Sequence, residues 1–219
     1  MISFKTFSFI SVGALLALAL QGCGATRTLK PLGKGNSQAD LSLGGPMITQ
    51  GAPIPAPYTV VGYSYGVTDR VNLNASFHPS AALYKVFATE FGATTEIVSQ
   101  EKHGVELVID TRFIFATNAE DAIILPTITP VLSYEMGSFT PYVGMDALFQ
   151  IQDNDRPYLP QTYAPFLGAR GQLGSSWILG GEVKWAAANH KIKFSHVKHP
   201  SWIGDYGQVA PYIFVGYKF

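Results

Sequence analysis

The chain has 219 residues, enough for one domain and a targeting segment, and its formal net charge of zero provides no basic surface for nucleic acid. The single cysteine excludes a disulfide framework and a cysteine-ligated metal site. Charged residues are 14% and aromatic residues 13%, yet no run of about 18 apolar residues follows residue 22. This composition favours a membrane barrel, whose lipid face uses every second residue; a soluble, glycine-rich β-sandwich is the alternative.

The first 22 residues have the layout of a secretory signal peptide. Lys5 is their only charge, and the apolar run at 7–20 is short for a membrane span. The run ends in Leu20-Gln21-Gly22-Cys23, which resembles the lipobox of bacterial lipoproteins. The resemblance implies cleavage before Cys23 and acyl chains on that residue, which would anchor the protein durably. An ordinary signal peptide with a chance cysteine is the alternative.

Residues 24–38, GATRTLKPLGKGNSQ, show no apolar periodicity. Their glycine, proline and serine content predicts a flexible, solvated tether. We therefore predict a signal peptide at 1–22, a lipidated N-terminus and flexible tether at 23–38, and a barrel domain at 39–219.

The remainder of the chain alternates with a period of two, which indicates strands. The weaker segments are 39–45, 57–66, 70–78, 83–98 and 122–134, and the clearer ones are 105–116, 139–152, 162–174, 177–187 and 208–219. The pattern predicts an all-β fold, an antiparallel up-and-down transmembrane β-barrel of about ten strands. Eight strands are possible if 39–45 is not a strand and one other segment is misread.

One face of each segment is apolar and almost uncharged, Lys85 being the exception, which favours contact with lipid. Prolines 126, 130, 141, 165 and 211 fall on this face and count against the strands, because proline cannot donate to a ladder. Aromatic residues are candidates for interfacial girdles: Tyr58, Tyr163, Trp177 and Tyr217.

The last segment ends in Phe219, which resembles the signal that outer-membrane barrels present to their insertion machinery. The resemblance implies the outer membrane of a Gram-negative-type bacterium, with its lipid and lipopolysaccharide as partners. Short connections at 67–69, 100–104, 137–138 and 174–176 are expected on the periplasmic side. An even strand count then puts the first strand's start at the same end, within reach of a periplasmic anchor at Cys23.

The opposite, polar face is expected to line the lumen, where its charges form ion pairs. We expect Arg170 and Lys184 to pair with Glu106 and Asp110. A polar path for small solutes is the alternative interpretation. The predicted lumen ion-pair residues are Glu106, Asp110, Arg112, Asp146, Arg170, Glu182 and Lys184.

The last long connection, 189–207, carries most of the reactive side chains. Its His199-Pro200-Ser201 resembles the His-x-Ser element of outer-membrane lipid A deacylases, which implies a Ser-His-acid site. Metal binding by His190, His196 and His199 is an alternative, but their spacing is not a standard one for metal ligands. The favoured interpretation is an exposed polar loop, partly positive through three lysines that are also candidates for contact with lipopolysaccharide phosphates: Lys191, Lys193 and Lys198.

Three functions compete. The first, which we favour, is a non-enzymatic outer-membrane barrel lipoprotein, structural or a narrow pore for small solutes, with no cofactor, metal or catalytic residue. The second is a barrel-embedded lipid-modifying hydrolase that uses the histidine-bearing loop. The third is a lipid-tethered periplasmic barrel that binds an apolar ligand, which requires apolar residues inside and polar residues outside.

Overall fold

The computed structural model describes residues 26–48, 54–55, 57–83, 85–118, 122–151, 161–191 and 200–219. Its strands are β1 Ser37–Gly44, β2 Met47–Ile48, β3 Ile54–Pro55, β4 Tyr58–Gly66, β5 Val71–Phe77, β6 Phe87–Val98, β7 Glu106–Thr117, β8 Ala122–Ser133, β9 Phe139–Phe149, β10 Gln161–Leu173, β11 Trp177–Lys191 and β12 Tyr206–Lys218. Short helices occupy Pro79–Ala82 (α1) and Gln100–His103 (α2), and a 3₁₀ turn occupies Ser201–Ile203.

Ten of these strands form one closed antiparallel barrel, which confirms the predicted fold class and strand count. Each strand pairs with its neighbour in the barrel, and β1 closes it by pairing with both β12 and β4. Strands β2 and β3 form a separate two-stranded sheet. The first strand, the least certain in the sequence, begins at Ser37, two residues before the predicted boundary.

The two ends of the barrel differ in their connections. One end, the turn end, carries the connections at 67–70, 99–105, 134–138 and 174–176, together with the start of β1 and the C-terminus. There the Phe219 N–H donates to the Ser37 carbonyl over 2.9 Å. The opposite end, the loop end, carries α1, the β2–β3 sheet and the 3₁₀ turn. The four connections predicted to be short therefore share one end.

The outward face of the wall is apolar along its length. Its exposed side chains include Phe91, Phe113, Val143, Leu167 and Ile213. On the described strands every Asp, Glu, Lys and Arg points into the lumen, except Lys191 at the last position of β11.

Two details of this face differ from the sequence prediction. The predicted charged exception, Lys85, lies in the turn after α1 with φ +60° and not on a strand. The girdle prediction is wrong for Tyr58, which is buried in the lumen. Trp177 and Tyr217 pack edge to face at the turn end, 4.9 Å apart.

The prolines within the strands lie on the outward half of the alternation and cost little pairing. Around Pro130 the pairing of β8 with β9 is interrupted, resuming at Val131 opposite Gly144. Because proline has no N–H, Pro130 cannot donate a backbone hydrogen bond within this interruption.

Candidate functional site in the barrel lumen

The polar side chains of the alternating strands point into the lumen, where the buried acids of the strands outnumber the buried bases. On the strands, two buried side chains are basic, Arg112 and Lys184. Six are acidic: Asp40, Glu90, Glu106, Asp110, Asp146 and Glu182. Buried carboxylates require positive or hydrogen-bonding partners, so the wall alone has an acidic excess.

The first cluster is built around Arg112 on β7. Its Nε donates to Asp110 Oδ2 over 2.7 Å, and its Nη1 donates to Glu90 Oε2 over 2.9 Å. The second oxygen of Glu90 lies 2.9 Å from Nε2 of His78, whose Nδ1 lies 2.6 Å from the Tyr58 hydroxyl. All five side chains are buried, so the cluster is an enclosed network that joins β4, β6 and β7 with the residue that follows β5.

The second cluster is built around Lys184 on β11. Its Nζ lies 2.6 Å from Asp146 Oδ2 and 3.7 Å from Glu182 Oε1. Asp146 also accepts a hydrogen bond of 2.8 Å from the Thr129 hydroxyl. This cluster contains two acids, Asp146 and Glu182, and the described wall supplies one base, Lys184, to pair with them.

The missing base is Arg27, from the segment predicted as a solvated tether. Its Nη1 lies 3.2 Å from Asp146 Oδ1 and its Nη2 lies 3.8 Å from Glu182 Oε1. Its guanidinium carbon stands 4.1 Å from the centre of the Phe166 ring. The next residue toward the N-terminus, Thr26, accepts a 2.9 Å hydrogen bond from Arg112 on its carbonyl, which links the two clusters.

The tether prediction is therefore wrong for residues 26–29, which are buried inside the barrel. Leu29 joins an apolar cluster with Val108, Tyr142 and Phe166. The side-chain amide of Asn72 holds the same segment at two points, donating to Thr28 Oγ1 over 2.9 Å and accepting from the Leu32 N–H over 3.0 Å. The burial of Leu29 and the ion pair of Arg27 with Asp146 hold this segment in the lumen despite its composition.

A glycine turn redirects the chain from the segment into β1. Gly33 and Gly35 have φ of +83° and +86°, values that favour glycine. A Cβ on Gly66 would lie 2.0 Å from the Gly33 carbonyl oxygen, so the close approach also requires glycine in the wall. From this turn the segment runs backwards along the lumen, past Asn72 near the turn end to Ser76 near the loop end of β5.

The predicted route from β1 to a periplasmic anchor at Cys23 differs from the structure over residues 26–29, which lie in the lumen. The described part of the chain begins at Thr26, inside the lumen, where the Thr26 and Ser76 hydroxyl oxygens lie 3.4 Å apart. Residues 1–25, including Cys23 and the predicted signal peptide, lie outside the described residues.

The other predicted lumen residues stand nearer the turn end. Glu106 accepts a 3.1 Å hydrogen bond from the Gln100 N–H. Arg170 lines two polar cavities of about 380 and 590 Å³, each also lined by Lys30 and Glu135. The predicted pairing of Arg170 and Lys184 with Glu106 and Asp110 thus differs from the structure, because Asp110 pairs with Arg112 of its own strand and Lys184 with Asp146.

Toward its loop end the lumen also contains an apolar cluster, beside the Glu90–His78 pair. Ile114, Leu125 and Leu148 form one buried cluster with residues of α1 and the adjoining turn. In the predicted reactive loop, Ser195, His196 and His199 lie outside the described residues, and Nε2 of the half-buried His190 is 2.6 Å from the Gln161 carbonyl oxygen.

Within the described ranges no group of three or more His, Cys, Asp or Glu side chains could hold a metal ion. None of the helices in these ranges is long and apolar enough to cross a bilayer.

Comparison with known proteins finds structural similarity only. No protein-family model matches the chain, and no curated protein matches it. The translocator domain of the autotransporter NalP from Neisseria meningitidis is 11% identical over 98% of both chains, with a TM-score of 0.48. The outer membrane protein OprG from Pseudomonas aeruginosa is 13% identical over 88% of this chain and 99% of its own, with a TM-score of 0.35.

The toluene transporter TodX from P. putida is 9% identical over 92% of this chain and 93% of its own, with a TM-score of 0.37. None of these values identifies a family, and the barrel described above rests on its own strand pairing.

Proposed function

We propose that the protein is a non-enzymatic β-barrel of the bacterial outer membrane, structural or a narrow pore for small solutes, whose lumen is filled by ion pairs. One observation carries this proposal: the described wall has an apolar outward face and a charged, buried lumen. An apolar outward face is suited to contact with lipid, and buried charges need partners within an enclosed lumen. A soluble barrel for apolar ligands requires the reverse arrangement.

The location is tested by membrane fractionation and by electrophoresis with and without heating. We expect the protein in the outer-membrane fraction, with a band whose migration changes when the folded barrel is boiled. Recovery in the soluble periplasmic fraction would contradict the proposal. A lipid-modifying activity receives no support from the described part of the loop, where Ser201 and Asp205 are exposed.

The proposal includes lipidation at Cys23, supported by the lipobox-like residues before it. The parent protein should incorporate labelled palmitate, and Cys23→Ala should not; continued labelling of the variant would exclude this modification.

A further inference from the structure

We propose that Asp146, Glu182 and the Phe166 ring form a guanidinium-binding site in the lumen wall, which Arg27 of the same chain occupies and from which it can be exchanged. The ligand class is a planar guanidinium cation, either free or on an arginine side chain. The inference deepens the proposed function, since it rests on the closed barrel with a charged lumen.

The geometry suits a guanidinium better than an ammonium. Two carboxylates from different strands face the two terminal nitrogens of Arg27, at 3.2 and 3.8 Å, while an aromatic ring covers the flat face at 4.1 Å. A guanidinium presents a rigid, planar fork of donors that can lie flat on an aromatic ring, whereas an ammonium is a compact point charge without that fork. The Lys184 ammonium lies farther from the same ring, 5.5 Å from the Phe166 centroid. Asp146, Glu182 and Phe166 are all buried, so the site is enclosed.

The wall holds a cation there by charge as well as by shape. Lys184 is the one wall base that contacts Asp146 and Glu182 in the described structure, so Arg27 brings the second positive charge to two carboxylates. An acidic site that lost Arg27 would retain an uncompensated buried charge, and burial makes such a charge costly. A cation from solution would therefore be favoured in its place.

The N-terminal segment has the attributes of an exchangeable occupant. Residues 26–36 belong to no strand, and the barrel closes through β1 paired with β12 and β4 without them. Two left-handed glycines, Gly33 and Gly35, connect the segment to the wall. The two polar cavities at the turn end are both lined by Lys30 of this segment.

The site is tested by chemical rescue in detergent with the full-length protein. Arg27→Ala should unfold at a lower temperature than the parent, and millimolar methylguanidinium should recover part of that loss in a saturable way. Methylammonium, with equal charge and no planar fork, should recover less. Lys30→Ala, which removes a charge from the same segment but from a half-exposed pair with Glu135, should show no rescue.

Removing the wall carboxylate gives the decisive control. The double variant Arg27→Ala with Asp146→Asn should lose the methylguanidinium effect, provided that its band is still heat-modifiable. An equal response in Arg27→Ala, Lys30→Ala and the double variant would mean a general salt effect and would overturn the site. The absence of any response in Arg27→Ala would overturn it as well.

Exchange is tested in the parent protein by amide hydrogen exchange. Methylguanidinium should accelerate exchange in residues 26–36 while the strand amides remain protected. Unchanged protection of that segment would show a permanent core element and would contradict exchangeability. Neither measurement depends on cellular location, so failure here is distinguishable from a barrel that is found outside the outer membrane.

Discussion

Arg112 supplies a positive charge that pairs with two buried carboxylates of the lumen. It contacts Asp110 at 2.7 Å and Glu90 at 2.9 Å, and its side chain is only 6% exposed. Removing one member of a buried ion pair typically costs about 3–5 kcal/mol, because the remaining charge loses its partner. We therefore expect Arg112→Ala to lower the unfolding temperature in detergent markedly or to open a leak in planar bilayers.

Arg70→Ala is the matched control for this prediction. Arg70 also faces a carboxylate, Glu96 at 3.7 Å, but its side chain is 66% exposed at the turn end. Exposed pairs contribute little to stability, so this variant should melt and conduct like the parent. Equally small effects of both substitutions would mean that the lumen charges are hydrated and independent, and the lumen would then be a water-filled path.

Tyr58 gives a finer test of the same network. Its hydroxyl lies 2.6 Å from Nδ1 of the fully buried His78. Tyr58→Phe removes this hydrogen bond while keeping the ring, which we expect to cost about 1 kcal/mol and to lower the melting temperature measurably. Tyr63→Phe removes a hydroxyl from the outward face, where Tyr63 is 49% exposed, and should be neutral. A neutral Tyr58→Phe would mean that the contact contributes nothing net.

The last strand tests which face of an element meets lipid. Ile213 lies midway along β12, is 63% exposed, and pairs with Leu43 and Gly181. An arginine on the lipid face at mid-membrane depth costs about 2–4 kcal/mol, so Ile213→Arg should reduce the heat-modifiable, membrane-inserted fraction.

The control places the same charge outside the wall. Leu83 is 83% exposed in the turn that follows α1, so Leu83→Arg should assemble as the parent does. Normal insertion of Ile213→Arg, or equal failure of both variants, would contradict a lipid-facing β12.

The strands were predictable because one physical constraint repeats along each of them. Lipid outside and charge inside impose a period of two, and that period is visible locally in β7 and β12. The lumenal segment has no such period, and its contacts are remote in sequence: Arg27 meets Asp146 across 119 positions. Composition alone therefore led to the prediction of a flexible tether.

A signal for the lumenal segment was nevertheless present in the sequence. The inward face has an excess of acids, and the adjoining non-periodic stretch carries Arg27 and Lys30 next to the glycines at 33 and 35. The contact between His78 and Tyr58 had no such signal, because each residue lies at a strand end, where the alternation no longer assigns a face.

The whole molecule has two unlike ends, and this asymmetry predicts its orientation in the membrane. Short connections and the C-terminus gather at the turn end, and the connections at the loop end are longer, except the one between β7 and β8. Barrels of this kind place short turns in the periplasm and long loops outside. Leu83 at the loop end and Lys102 in α2 at the turn end are both exposed and provide one probe site at each end.

We expect opposite labelling of these sites by a membrane-impermeant maleimide. In a Cys23→Ala background, which removes the native thiol, Leu83→Cys should react on intact cells, because the loop end faces the medium. Lys102→Cys should react only after the outer membrane is permeabilised. Both should react equally in detergent, which controls for intrinsic reactivity. Labelling of Lys102→Cys but not Leu83→Cys on intact cells would reverse the orientation, and labelling of neither until lysis would contradict insertion in the outer membrane.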